Sequence, residues 1–359
     1  MQPERVLELD SLAREDTIRY PRKRLAYEAI RANPGRPFVA IMGPRGVGKT
    51  VLLRQLRCET ADGVYLSADT LDRSDSLVDL MRVFHERYRI ETFFIDEIHF
   101  VRDYAAHLKE LSDFSRVKIW FTSSSALSLY TSAWDLSRRV VVSPLLPFSF
   151  REFLAFQGQP LLPSLPLERA LTAPIGSEYL RSSFRFREYL SGGLYPFTLE
   201  PGARIEQFRN VLKKIIASDI PMCEPRITVD ELADIERLVD FVCRSPINGI
   251  NYSSLSANLG ITKYKAERYV DLLERSFLLR RAFPAGTNVL REPKVFVELP
   301  YRLIYRSYED CVGELREDFF ALAMSQHGAS FQYAKSKRGA KTPDFLVTIG
   351  GHPVVIEVG

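Results

Sequence analysis

Gly43-Pro44-Arg45-Gly46-Val47-Gly48-Lys49-Thr50 has the GxxxxGKT spacing of a phosphate-holding turn. Successive backbone N–H groups in such a turn converge on a β-phosphate, and glycine lets the main chain bend that closely. The start of a helix just beyond it, at Val51, adds positive potential. On this reading the ligand is a nucleoside triphosphate with its metal: Lys49 reaches the β- and γ-phosphates as a point charge, and Thr50 offers its hydroxyl to Mg²⁺. A chance match of this pattern in a chain of 359 residues is on the order of 1%.

Further chemistry follows three other apolar runs. Thr92-Phe-Phe-Ile-Asp96-Glu97 ends in two carboxylates. Asp96 is expected in the Mg²⁺ shell, and Glu97 as the group that polarises or orients the attacking water. Val117-Lys-Ile-Trp-Phe-Thr122-Ser123-Ser-Ser125 ends in hydroxyls. Thr122 or Ser123 either bonds the γ-phosphate or lytic water, or caps a helix starting near Ala126; both can hold. Asp135-Leu-Ser-Arg138-Arg139 precedes the run Val140–Val142. An arginine there can stabilise phosphoryl charge on a neighbouring copy, or be an ordinary surface residue.

These groups need a scaffold that brings strand ends to one edge. Phe38-Val-Ala-Ile-Met42 is a short apolar run suited to a buried parallel strand. Leu52, Leu53 and Leu56 share one helical face behind the turn. Leu77, Leu80, Met81, Phe84 and Tyr88 recur at helical intervals, as do Tyr104, Leu108, Leu111 and Phe114. Strands alternating with amphipathic helices predict a parallel α/β sheet whose carboxyl edge binds the ligand.

The motifs GPRGVGKT, FFIDEIH, WFTSSS, Arg138-Arg139 and Pro144-Leu-Leu-Pro-Phe-Ser-Phe-Arg-Glu-Phe153, in this order, resemble the prokaryotic AAA-type (AAA+) P-loop ATPases that carry a C-terminal domain of unknown function. The resemblance covers residues 20–155 best. It implies a five-stranded parallel sheet with the phosphate-loop strand central, a helical lid, and an arginine finger donated between subunits of a homo-oligomer. Ser123 and Ser137 stand where that group has glycine. Gly192-Gly-Leu-Tyr-Pro196 resembles its GGxP turn and reads locally as a helix cap and turn.

The predicted organisation is an ATPase domain at 1–153, a helical lid or linker at 154–226, a module at 227–300 and an α/β domain at 301–359. The stretch 157–166 is proline-rich and loop-like, with helices expected near 177–191 and 202–217. From 228 to 300, three helices precede two strand-like runs, which is winged-helix organisation. Lys263, Lys265 and Arg268 open its third helix, where a DNA reader makes its contacts; a solvated helix face has the same composition.

The last segment, a helix followed by three strands carrying Glu317, Asp344 and Glu357, resembles the PD-(D/E)xK nuclease fold, and these residues match its metal-ligand positions. Gly359 stands at its lysine position, and the segment is expected to be a truncated copy. Lys335, Lys337, Arg338 and Lys341 form a basic loop beside it, open to a nucleic-acid backbone or simply to solvent.

Composition narrows the classes. Apolar residues make up 46% and charged residues 26%, which excludes a largely disordered chain. No apolar run approaches the ~18 residues of a membrane span, and the start MQPERVLELD lacks a secretory apolar core, so a cytoplasmic location without membrane contact is expected. The net charge of +4 permits nucleic-acid contact without requiring it. Four separated cysteines form no CxxC pair and read as reduced, mostly buried thiols. Three functions fit: an Mg²⁺-dependent ATPase acting as switch or motor, an ATP-regulated nucleic-acid-binding protein or nuclease, and a nucleotide-binding module that docks a protein partner without hydrolysis.

Overall fold

The computed structural model describes residues 2–32, 38–72, 75–124, 136, 138–166, 169, 172–200, 202, 204–286, 292–334, 344–349 and 352–358. The chain divides into two compact units, Met1–Pro147 and Phe148–Gly359.

The first unit opens with helix α1 (Pro3–Thr17), with proline in its first turn, and the short α2 (Tyr27–Arg31). Strand β1 (Phe38–Met42) is buried throughout and leads through the glycine-rich turn into α3 (Lys49–Cys58). Then come β2 (Gly63–Ser67), α4 (Leu77–Tyr88), β3 (Thr92–Asp96), α5 (Tyr104–Phe114), β4 (Lys118–Ser123) and β5 (Val140–Pro144). The five strands form one parallel sheet in the order β2-β3-β4-β1-β5. Strand β1 is interior, between β4 and β5, but the middle place belongs to β4 rather than to the phosphate-loop strand.

The apolar stripes fall where their spacing puts them, with two exceptions. Leu77, Leu80, Met81 and Phe84 of α4 and Tyr104, Leu108 and Leu111 of α5 are buried. Tyr88 and Phe114, at the last position of each helix, are exposed, Phe114 by 86%. A helix's final residue overhangs the packed face, so spacing alone overstates its burial.

An edge strand presents unpaired backbone groups, and here α1 covers the β2 edge. Tyr65 N–H on β2 donates to Asp10 Oδ1 at 2.7 Å. Asp10 also accepts two bonds from Arg57 of α3, at 2.8 and 2.7 Å, in a buried bidentate pair.

The second unit begins with α6 (Phe150–Phe156), capped by Ser149. The expected helix at 177–191 is broken into short turns; Gly192, at φ 111°, ends it. Helix α7 (Arg204–Lys214) follows, then α8 (Val229–Arg244), α9 (Tyr252–Leu259) and α10 (Lys263–Arg275). These helices are capped: Thr228 and Glu231 form a capping box, Gly260 ends α9 at φ 66°, and Thr262 accepts from Lys265 N–H. Strands β6 (Leu279–Ala282) and β7 (Lys294–Val297) pair antiparallel. Helix α11 (Val312–Gln326) precedes an antiparallel sheet of β8 (Phe331–Tyr333), β9 (Phe345–Ile349) and β10 (His352–Ile356), ordered β10-β9-β8.

One core in this unit gathers Ile247, Ala282 and Phe296 with Phe320, Ala321, Tyr333, Phe345 and Val347. Arg302 is also buried in this unit; it donates to Asp318 Oδ2 at 2.5 Å and to the carbonyls of Val242, Cys243 and Ser245 where α8 ends. Asp318 Oδ1 accepts Val297 N–H at 2.8 Å.

Cys243 and Cys311 are buried, but Cys58, at the end of α3, is exposed and Cys223 half-buried, so the expectation of mostly buried thiols holds for two of the four. Burial pushes the Cys243 thiol up to about 12. Among the described residues no helix is long and apolar enough to cross a membrane.

Candidate active site at the carboxyl edge of the sheet

Parallel pairing sends β1, β3 and β4 to a common edge, with Ile41 beside Thr122, Met42 beside Ser123, and Asp96 closing β3. Gly43, Pro44, Arg45, Gly46, Val47 and Gly48 wrap over that edge into Lys49, Thr50 and Val51 of α3. Gly46 (φ 86°) and Gly48 (φ 88°) take left-handed conformations that L side chains rarely adopt. Gly43 answers to packing instead: a Cβ there would lie 1.9 Å from the Leu145 carbonyl oxygen, where the chain leaves β5.

Lys49 is buried, and its ammonium donates to the carbonyls of Gly43 and Pro44, each at 2.9 Å. Phosphate oxygens are stronger, charge-assisted acceptors for the same group. Arg24, ahead of the loop in sequence, ties it down from behind by donating to Val47 O at 2.5 Å and Leu146 O at 2.8 Å.

The Asp96 carboxylate is held at both oxygens. Oδ1 accepts Thr122 Oγ at 2.5 Å and Oδ2 accepts the Tyr65 hydroxyl at 3.0 Å. Burial raises its pKa; the adjacent Glu97 charge raises it further, while hydrogen bonds from Thr122, Thr50 and Tyr65 oppose this. A buried carboxylate and a threonine hydroxyl in contact are hard oxygen donors, and burial penalises the negative charge that a dication would balance. Thr50 and Asp96 therefore fit Mg²⁺.

Glu97 sits in the left-handed region at φ 51°, which is uncommon for a glutamate, and its N–H donates to Thr122 Oγ at 2.8 Å. Burial acts to raise its pKa, but Lys49, His99 and Arg45 outweigh that and hold it below the usual glutamate value. His99 Nδ1 lies 3.3 Å from Glu97 Oε2, and Arg45 Nη1 lies 3.9 Å from Oε1. Glu97 thus stays ionised and able to accept a proton at neutral pH.

Thr122 takes a role that the sequence reading did not offer: it orders the acid pair, donating to one member and accepting from the other. Ser123 Oγ lies 3.3 Å from His99 Nδ1. The alternative helix cap near Ala126, together with Ser125, Asp135 and Ser137, lies outside the described residues.

Arg138 and Arg139 precede β5, whose first residue pairs with Phe38 and whose last pairs with Met42. They sit at the amino edge, about 13 Å of strand from the loop end. Arg139 pairs with Asp113 at 2.7 Å. Sequence reasoning missed Tyr65, Arg24 and Arg54. His99 stood within a quoted motif without an assigned role.

The carboxyl-terminal acids behave differently. Burial pushes Glu317 up to about 7; Lys294 opposes this, while Asp344 and Asp318 add to it. Asp344 Oδ2 accepts Val358 N–H at 2.9 Å, and Glu357 is exposed. Among the described residues no group of three or more His, Cys, Asp or Glu is placed to hold a metal ion, so Glu317, Asp344 and Glu357 do not form the expected second site. Gly359 and the loop with Lys335, Lys337, Arg338 and Lys341 lie outside the described residues.

On α10, Lys263 pairs with Glu292, and Arg268 pairs with Glu231 at 2.9 Å. Two of the three cations expected on a DNA-reading face are thus engaged within the chain.

A glycine-rich loop, its lysine, and an acid pair at the carboxyl edge of a five-stranded parallel sheet define a P-loop nucleotide site. Residues 35–154 match the family model described as an AAA domain, and residues 183–297 match a domain of unknown function, DUF8612. Loop, sheet and first match together support an AAA-type P-loop ATPase domain in this part of the chain.

Over 94% of its length the chain is 28% identical to the uncharacterized protein MJ1637 of Methanocaldococcus jannaschii, of which 80% is covered. Two solved structures align at low similarity. One is the Aeropyrum pernix ORC1 protein in complex with DNA, at 12% identity and TM-score 0.31, covering 87% of this chain and 94% of that one. The other is AMPPCP-bound DnaA from Aquifex aeolicus, at 11% identity and TM-score 0.29, covering 70% and 87%. At such TM-scores neither likeness bears on ligand or partner.

Proposed function

We propose that this chain binds ATP with Mg²⁺ and hydrolyses it, acting as a nucleotide-driven switch or motor. The observation that carries the reading is the convergence of Lys49, Thr50, Asp96 and Glu97 on one sheet edge, with Thr122 fixing both acids.

Loop amides and Lys49 bind the phosphates, and the latter gives up its two carbonyl acceptors for phosphate oxygens. Thr50 and Asp96 would hold Mg²⁺, which supplies neutralising charge to the β- and γ-oxygens. Glu97, ionised and anchored through its amide, orients the attacking water and takes its proton. Arg138 or Arg139, remote from its own loop, serves a neighbouring copy in a homo-oligomer; Arg139 would leave Asp113 to do so.

Steady-state turnover measured against protein concentration, with and without DNA, tests the scheme. Lys49→Ala abolishes nucleotide binding and turnover. Glu97→Gln retains nucleotide and lowers turnover by about 100-fold or more. Hydrolysis at wild-type rate in Glu97→Gln overturns the assignment of that residue, and turnover independent of concentration overturns the intersubunit arginine.

A further inference from the structure

We propose that Tyr65 is a positioning residue for Asp96, and that the amino-terminal helix α1 sets it through Arg54. The inference rests on the nucleotide reading above and names the residues that tune its metal site.

Tyr65 is 2% exposed on the edge strand β2, and both ends of it are tied to α1. Its backbone N–H donates to Asp10 at 2.7 Å. Its hydroxyl accepts from Arg54 Nη2 at 3.3 Å, and Arg54 Nη1 donates to Asp16 Oδ2 at 3.0 Å. The Arg54 guanidinium also stands 5.0 Å from the centroid of the tyrosine ring. The same hydroxyl donates to Asp96 Oδ2 at 3.0 Å.

A continuous run of hydrogen bonds therefore links Asp16 on α1, which accepts from Arg54 on the phosphate-loop helix, through Tyr65 on β2 to the candidate metal ligand. Thr122 holds the other Asp96 oxygen, so Tyr65 and Thr122 together fix the rotation of the carboxylate. A hydroxyl that accepts from a guanidinium is polarised into a better donor, which strengthens its grip on Asp96. Groups hydrogen-bonded to metal ligands typically set affinity by 10–100-fold. Helix α1 lies ahead of the segment matched as an AAA domain, so this chain brings its own support to the site.

The test uses the full chain saturated with a non-hydrolysable ATP analogue. Mn²⁺ binding is followed by the EPR signal of the free ion, and analogue binding in EDTA is measured separately. Tyr65→Phe keeps the ring and removes the donor: the half-saturating Mn²⁺ concentration rises about tenfold, and binding in EDTA changes less than twofold. Arg54→Gln gives a smaller rise, and Asp16→Asn, on a half-buried residue at the helix end, about twofold.

A Tyr65→Phe protein that folds and titrates like wild type overturns the proposal. If Tyr65→Phe does not fold, unchanged Mn²⁺ titrations in both Arg54→Gln and Asp16→Asn overturn it. A wild-type chain that binds neither analogue nor Mn²⁺ brings down the nucleotide reading itself, and this inference with it.

Discussion

Two regions carry carboxylates near strand ends: the edge of the parallel sheet, with Asp96 and Glu97, and the antiparallel sheet near the carboxyl terminus, with Asp344 and Glu357, preceded by Glu317 of α11. At the first, each acid is met by hydroxyls or cations that leave it capable of more: Asp96 takes neutral donors, and Glu97 is held ionised by Lys49, His99 and Arg45. At the second, Asp344 caps a backbone amide, Glu357 faces water, and Glu317 is pushed towards its neutral form. Similar acids become a candidate site where the fold gathers them at one edge among hydroxyls and cations.

The sharpest way to press this contrast is to ask which acid the second region depends on. That acid is Asp318, whose oxygens are taken by Arg302 and the Val297 amide. Asp318→Asn leaves Arg302 buried without its counter-charge and should cost about 3–5 kcal/mol in denaturant unfolding. A loss below about 1 kcal/mol would show that the buried pair organises nothing.

A smaller effect is expected one residue earlier. Glu317 titrates near 7 when folded and from a normal value of 4.5 when unfolded, so the folded state binds more protons between those values. Stability therefore falls as pH rises from 4.5 to 7. Glu317→Gln should flatten that slope and, after allowance for partial exposure, add about 1 kcal/mol at pH 8. Thermal melts at pH 5 and pH 8 check it; equal pH dependence in both proteins refutes the assignment.

The least effect belongs to Asp344→Ala in Mg²⁺- or Mn²⁺-supported DNA cleavage: wild type and variant should both show none. Cleavage by wild type that disappears in the variant would break the contrast and restore a second metal site.

Much of the first region was legible because its determinants are local. The glycines, Lys49 and Thr50 follow one another, and the apolar run before Asp96 announces a buried strand. What stayed hidden depends on strand order. Tyr65 reaches Asp96 only because β2 lies beside β3, pairing Ser67 with Asp96, and β2 itself is a five-residue strand bounded by glycine and serine with little pattern of its own. Arg24 and Arg54 act across 23 and 11 residues of sequence, respectively, which no spacing rule connects. In the second unit the three helices and two strands between 228 and 300 were readable from the sequence. The fate of Glu317 was not, because it turns first on its burial, and then on Lys294 and Asp344 arriving from other elements.

The tight seat of Gly43 under the Leu145 carbonyl has a practical reach. Any larger residue at that position wedges the exit of the fifth strand away from the first, so its loss of nucleotide binding would report a displaced backbone rather than a missing phosphate contact. A silent version of this protein is better made at the lysine, whose removal vacates volume instead of demanding it.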